Sequence, residues 1–410
     1  MDKKLTFEML VLWLMFALLP VEMLHGFLLH SGVNLPLSVG QAFKLILLAS
    51  LLFSFFIELN GLFICLFLFC LLFIPSLGQS LSKLEIGFLF KDFIKISRYL
   101  MPLIVFLFFK KIIERGRSNE MNLIFKLVQF SYLVFVFNIL LKYIGLGYAM
   151  YPNGDIGSKG FFFAGNETSA LLIILSAIIG FNLFKKGKKL SYFLFFLFNL
   201  FIGLTISSKT GTLGVLIVFL LIPVKQFQLK IRLRYVKNII ISILLIVPVV
   251  VVSTWKFIVA SPVFTRLKFF WHELDFLTFI FSNRNNFLKN AWKVYWEEYN
   301  FLEKIIGVGQ TNYEILNGNS IVEIDIADIF FAYGFVGLLL FVFIMFLSYY
   351  QAKIFRATNR HPFAGLAVLM IFVLLGISTI AGHVYSSGMS AVFIGLVFSL
   401  MYLKKDANAI

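Results

Sequence analysis

The sequence predicts an all-α polytopic membrane protein: a bundle of about twelve transmembrane helices with one large loop that carries short amphipathic helices. Three observations lead there. Apolar residues make up 60% of the 410-residue chain, and the mean hydropathy is +0.94, more than one globular core can hide. Apolar runs of about twenty residues, enough to cross ~30 Å of hydrocarbon, recur from end to end. One interval, residues 255–327, breaks the pattern with Arg266, His272, Arg284, Glu323 and Asp325, and a face bearing these groups does not sit in lipid.

In chain order the spans fall near residues 7–24, 38–57, 61–77, 98–113, 121–146, 166–184, 190–207, 210–224, 238–254, 328–350, 363–381 and 388–403. The first follows a basic start, MDKK, is long for a signal-peptide core and has no small-x-small cleavage site after it, so it reads as a membrane span. The whole chain, 1–410, then forms a single integral membrane domain, with 255–327 as the large external loop.

The connections sort into two sets. MDKK, KKIIERGR, KKGKK, KQFQLKIRLRYVK, QAKIFRATNR and KKDANAI are densely basic, which assigns them, and both termini, to the cytoplasm. The opposite set, HGFLLHSGVNLP, the segment 76–97, the run YAMYPNGDIGSKGFFFAG, the SSKTG turn, the long interval and AGHVYSSG, mixes acids and bases and faces outward. The net charge of +16 is therefore a topology signal distributed over short loops, and nucleic-acid binding is not expected. Lys44, Lys126 and Lys142 lie near helix ends, where snorkelling accounts for them, and Glu22 reads as an interfacial carboxylate. Cys65 and Cys70, both in one apolar helix, cannot bridge each other and read as packing or lipid contact. The 53 phenylalanines are dispersed and read as lipid-facing filler.

Four outward pieces hold the polar chemistry. In GSKGFFFAGNETSA, glycines flank Lys159 and Asn166 suits a helix N-cap; the alternative is an anion site built on Lys159 and loop N–H groups. TISSKTGTLG brings Lys209 to the membrane surface among hydroxyls. SNRNNFLKNAWKVYWEEYN opens a helix at Arg284, a residue able to grip phosphate bidentately. Trp292, Trp296 and Tyr299 form an aromatic stripe on it that suits sugar rings or the membrane interface. In IIGVGQTNYEIL and VEIDIADIFFAYGFVG, Gly307 and Gly309 make a turn, and Glu323, Asp325 and Asp328 lead into a span whose glycines favour close packing. Three acids at that depth must be paired or functional. His383, in the last outward turn, is a rival base beside His272.

These pieces, in this order, resemble the superfamily of O-antigen ligases and Wzy-type polysaccharide polymerases. The likeness rests on GFFFAGN, on SSKTG with Lys209 where the family usually has Arg, on Arg284 followed by GVG, and on EIDIADIFFAYGFVG, and it covers residues 150–345. Ligases usually carry a His in the large loop before the G-x-x-G span; here Glu323 and Asp325 stand there, which favours a polymerase. The resemblance implies a glycosyltransferase of the bacterial cytoplasmic membrane. It would polymerise polyprenyl-pyrophosphate-linked oligosaccharide units into O-antigen, capsule or exopolysaccharide, with a ligase as the alternative. Arg284, Lys209, Lys159 and Arg266 would hold pyrophosphate, and Trp292, Trp296 and Asn166 would hold sugar or acceptor. Glu323, Asp325 or His383 would act as the base. Partners would be the lipid-linked substrate, membrane lipid and a chain-length regulator. No cofactor is implied, and no early Asp-x-Asp suggests a metal. A flippase is disfavoured by the sparse mid-span charge and the lack of an internal repeat.

Overall fold

The computed structural model describes the chain except residues 1–5, 34, 36, 57–58, 84, 153–154, 228–267, 269–270, 272, 274, 359, 381 and 406–410. Among the described residues it is all helix, with two isolated β-bridges and no strand. The helices are α1 Phe7–His30, α2 Val39–Phe53, α3 Leu59–Lys83, α4 Ile86–Arg115, α5 Ser118–Leu140, α6 Gly165–Lys185, α7 Lys189–Ile206 and α8 Lys209–Phe227. After these come α9 Phe276–Phe281, α10 Arg284–Glu297, α11 Phe301–Ile306, α12 Gln310–Leu316, α13 Asp325–Ala357, α14 Ala364–Ile380 and α15 Ser390–Ser399. The expected span at 238–254 and the candidates Arg266 and His272 lie outside the described residues.

Among the described residues six helices are long and apolar enough to cross a bilayer, and four shorter apolar helices accompany them. Their sides are sorted as lipid solvation demands. Leu339, Phe343, Phe346 and Tyr350 recur at helical spacing on α13 and are exposed, whereas α15 is buried on every side. The phenylalanines are divided between these two roles. Phe63, Phe67 and Phe198 point outward, but Phe108, Phe109, Phe135, Phe181 and Phe393 are fully buried, so the expectation that they are all lipid-facing holds only in part.

Close backbone contacts lock the bundle. A Cβ on Gly395 of α15 would lie 2.6 Å from the Pro102 carbonyl of α4, and one on Gly26 of α1 only 1.8 Å from the Phe161 carbonyl. The connections gather at two ends. At the basic end, Glu8 receives Arg115 at 2.8 Å and Lys111 at 3.7 Å. At the opposite end, called here the loop end, α3 and α4 run past the expected limits of their spans. Segment 76–97, expected as a connection, is mostly helix, and it forms a platform for the large loop. Buried Asp92 of α4 accepts hydrogen bonds from Ser76 and from the Thr311 hydroxyl, and from the Thr311 N–H at 2.7 Å. It thereby caps the first turn of α12, where a carboxylate meets free N–H groups. Gln79 donates to Glu303, and Lys95 pairs with Glu314.

α13 is not one continuous helix. At Gly334 the backbone adopts φ 63°, ψ −161°, a conformation essentially confined to glycine. The break frees the Ala332 carbonyl, which accepts from the N–H groups of Val308 and Gly309 at 3.1 and 2.9 Å. The G-V-G turn thus plugs the kink, a role beyond the close helix packing that the glycines suggested.

Two lysines differ from expectation. Lys44 does not simply snorkel: it forms a 2.8 Å ion pair with the buried Glu22. Lys142 clamps the following loop through the Asp155 carboxylate and the carbonyls of Asp155 and Gly157. Lys126 is exposed on α5.

Candidate functional site

Arg284 is the first helical residue of α10, placed there by two left-handed residues, Ser282 and Asn283. A cation at a helix N-terminus is locally unfavourable, so its position depends on tertiary partners. Its Nε donates to the Glu323 carbonyl at 3.0 Å, Nη2 to the Glu323 carboxylate at 2.7 Å, and Nη1 to the Ile380 carbonyl at 3.1 Å. One buried guanidinium therefore ties together the start of α10, the segment before α13 and the end of α14.

Glu323 and His383 complete the cluster. Both have positive φ, 62° and 53°, a strained state for non-glycine residues that concentrates at functional sites. His383 Nε2 stands 4.0 Å from Glu323 Oε1, while its Nδ1 lies 3.4 Å from the Ser386 hydroxyl. The Glu323 side chain is 36% exposed, the accessible carboxylate of the three acids. Gly382 makes the approach possible, because a Cβ there would lie 1.7 Å from the Glu323 carbonyl.

Asp325 is different. It is 1% exposed and accepts from the N–H groups of Val384, Tyr385 and Ser386 and from the Ser386 hydroxyl. A carboxylate saturated by four donors beneath a loop holds that loop in place and has no free lone pair for a substrate proton. Asp328 is likewise buried and accepts from the Tyr313 hydroxyl and the Val322 N–H; burial, then this carboxylate, push the Tyr313 phenol up. The expectation that these acids are paired or functional resolves into two structural carboxylates and one accessible one.

The other candidates distribute around this centre. Lys209 starts α8, which Ser208 caps by accepting the Gly211 N–H. Its ammonium lies 3.9 Å over the Phe279 ring and donates to the Phe279 carbonyl at 3.2 Å. Arg284 Nη1 also donates to the Phe281 carbonyl at 3.5 Å, so Lys209 and Arg284 reach the same short helix, α9. Lys159 donates to the Phe163 carbonyl at 3.1 Å, and partial burial pulls its ammonium below the usual lysine range; its described contacts are all within its own loop and with α5. Asn166 is not the N-cap of α6. The cap is Ala164, without a side-chain bond, and Asn166 falls in the first turn.

On α10, Trp292 and Trp296 are 47% and 58% exposed. Trp292 stacks on Phe330, and Lys304 lies over Trp296. Tyr299, expected on the same stripe, is buried and donates to the Phe331 carbonyl. Trp292 lies about 12 Å along the helix axis from Arg284.

Several residues were not visible as site residues. Ser386 and Gly382 acquire meaning only when the last turn folds onto Glu323. Glu167 accepts the Met389 N–H at 3.3 Å, tying α6 to that same turn. Tyr385 lines a cleft between α4, α13 and α15, with Leu103, Phe106, Phe341 and Met345. Its buried hydroxyl has no hydrogen-bond partner among the described residues, and burial pushes its phenol up.

Residues 272–406 match the family model described as O-antigen ligase like membrane protein. That segment contains Arg284, Trp292, Trp296, Glu323, Asp325 and His383; Lys159, Asn166 and Lys209 lie ahead of it. None of the curated proteins matches the chain. The family match supports the O-antigen ligase/polymerase superfamily and a membrane enzyme of O-antigen or polysaccharide assembly.

Proposed function

We propose that the protein polymerises polyprenyl-pyrophosphate-linked oligosaccharide repeat units by glycosyl transfer at the loop end of the bundle, on the outer face of the cytoplasmic membrane. The observation that carries this reading is the accessible Glu323 carboxylate held between Arg284 and His383 inside the family-matched segment. In the reaction, an acceptor hydroxyl oxygen bonds to the anomeric carbon of the donor and the bond from that carbon to the pyrophosphate oxygen breaks. The hydroxyl proton passes to Glu323, with His383 beside it to share the charge. The lipid pyrophosphate leaves with the electron pair, and Lys209, whose ammonium lies against α9, meets it; Arg284 orients Glu323 and offers its remaining N–H. Trp292 and Trp296 give sugar rings an apolar face.

One observation favours a second reading, transfer of a finished glycan to a different acceptor. Glu323 and Asp325 stand where ligases usually carry a histidine before the G-x-x-G span, yet His383 arrives at Glu323 from the turn after α14. Purified protein in lipid, given lipid-linked repeat units, separates the two. Polymerisation yields a ladder of products that Glu323→Gln abolishes. Single units on a new acceptor would establish the ligase reading, and units that merely change leaflet would overturn both.

A further inference from the structure

The α3–α4 hairpin and α11 present apolar side chains where a loop in water would present polar ones. On α3, Phe63, Phe67, Cys70, Ile74, Leu77 and Leu81 recur at helical spacing and are all exposed, one uninterrupted outward row. From Phe63 to Leu81 the row covers about 27 Å along the helix axis, close to the ~30 Å of a hydrocarbon core. It does not stop there. Ser80 closes the hairpin by donating to the Glu85 carbonyl at 2.9 Å, and beyond the turn Ile86 and Phe90 of α4 are exposed as well. Asp92 and Lys95, in the same stretch of α4, are spent inward on α12. Lys91 is exposed, on a stem long enough to carry its charge to headgroup level.

α11 meets this tip. Gln79 donates to Glu303 at 2.8 Å, and beside that bond Phe301 and Leu302 are 76% and 65% exposed, with Leu81 and Ile86 at 76% and 80%. Lys304 is held at the Trp296 carbonyl of α10, 3.4 Å away, and leaves the patch apolar. Exposed apolar patches mark protein or membrane contacts, and continuity with the lipid-facing row of α3 selects the membrane here. We propose that the α3–α4 tip and α11 are immersed together in the acyl–headgroup boundary of the leaflet at the loop end, about 5–10 Å deep. The large loop is then fastened to the bilayer as well as to the bundle, immediately before the G-V-G turn that plugs the α13 kink. The anchor uses none of the residues of the proposed catalytic centre and stands whether or not the protein transfers glycosyl groups.

The test labels single cysteines of the full chain with bimane in phosphatidylcholine nanodiscs. Leu302→Cys and Leu81→Cys, each with Cys65 and Cys70 replaced by alanine, report the patch. Cys70 alone, with only Cys65 replaced, reports the middle of the row, and Asn290→Cys, exposed on α10, reports the aqueous side of the loop. All four side chains replaced or labelled are at the surface, so each variant keeps the wild-type melting temperature. Three quenchers are compared: lipid with a nitroxide near its headgroup, lipid with a nitroxide near its acyl terminus, and iodide in solution. The shallow nitroxide quenches Leu302→Cys and Leu81→Cys at least about threefold more than Asn290→Cys, and iodide quenches them less. At Cys70 the deep nitroxide quenches most. Equal iodide quenching at Leu302→Cys and Asn290→Cys, with no effect of either nitroxide, would put α11 in water and overturn the proposal. Protection of Leu302→Cys from all three quenchers would overturn it as well, because protein such as a second copy of the chain would then cover the patch.

Discussion

Glu323 and Asp325 are two residues apart and have opposite surroundings, so their substitutions should part company. Glu323→Gln keeps an acceptor for Arg284 but cannot take a proton. It should lower the transfer rate about 10²–10⁴-fold while thermal unfolding in detergent stays near wild type. Asp325→Asn turns an amide NH₂ toward the N–H donors of the 384–386 turn. Leaving some of them unsatisfied should cost about 1–3 kcal/mol of stability each and loosen His383. Should Asp325→Asn instead keep wild-type stability while losing all turnover, Asp325 would be the base and Glu323 its neighbour. Arg284→Lys bears on the same cluster. It keeps the charge and loses the fork that joins Glu323 to Ile380, so a drop in both melting temperature and rate is expected; wild-type values in both would remove Arg284 from the site.

At the scale of elements, the kink in α13 is the feature on which the site's geometry turns. Gly334 holds a conformation near-exclusive to glycine, and a Cβ on it would approach the Ile305 carbonyl to 2.4 Å. Gly334→Ala should therefore cost about 1–3 kcal/mol from backbone strain alone, with the clash added. Increased proteolysis in the 301–324 segment would be the accompanying sign; an unchanged melting temperature and cleavage pattern would mean that the kink is not needed to seat the G-V-G turn. Which elements were legible in the sequence follows from the same physics. The edges of α6, α7 and α8 fall within about three residues of the expected spans, because hydropathy alone ends them. The length of α4 was not legible, since its polar first turns are stabilised by Thr311 and Ser76, which are distant in sequence. For the site, Arg284, Glu323 and His383 were each candidates on residue type and position, but their convergence was not. It depends on left-handed residues at 282, 283 and 383 and on the absence of a side chain at Gly382, features that no local pattern announces. The burial of Asp325 was not legible for the mirror-image reason, as its partners are backbone N–H groups of a turn about sixty residues later.

The whole molecule poses a question of orientation, because a bundle with a polar cluster at one end works on an external substrate only if that end faces outward. The charge pattern argues that it does. The turn between α6 and α7 carries Lys185, Lys186, Lys188 and Lys189 within five residues, and the end holding Glu8, Lys111 and Arg115 is similarly basic, whereas the Glu323 end mixes signs. The structure puts both basic groups at the end opposite the Arg284 cluster, so one measurement fixes every connection at once. In a background with Cys65 and Cys70 replaced by alanine, Trp296→Cys should react with a membrane-impermeant maleimide in intact spheroplasts. Lys188→Cys should react only after permeabilisation. The reverse pattern would place Glu323 and His383 at the cytoplasmic surface. Substrate would then have to arrive before translocation, and polymerisation on the outer face would be ruled out whatever the chemistry of the cluster.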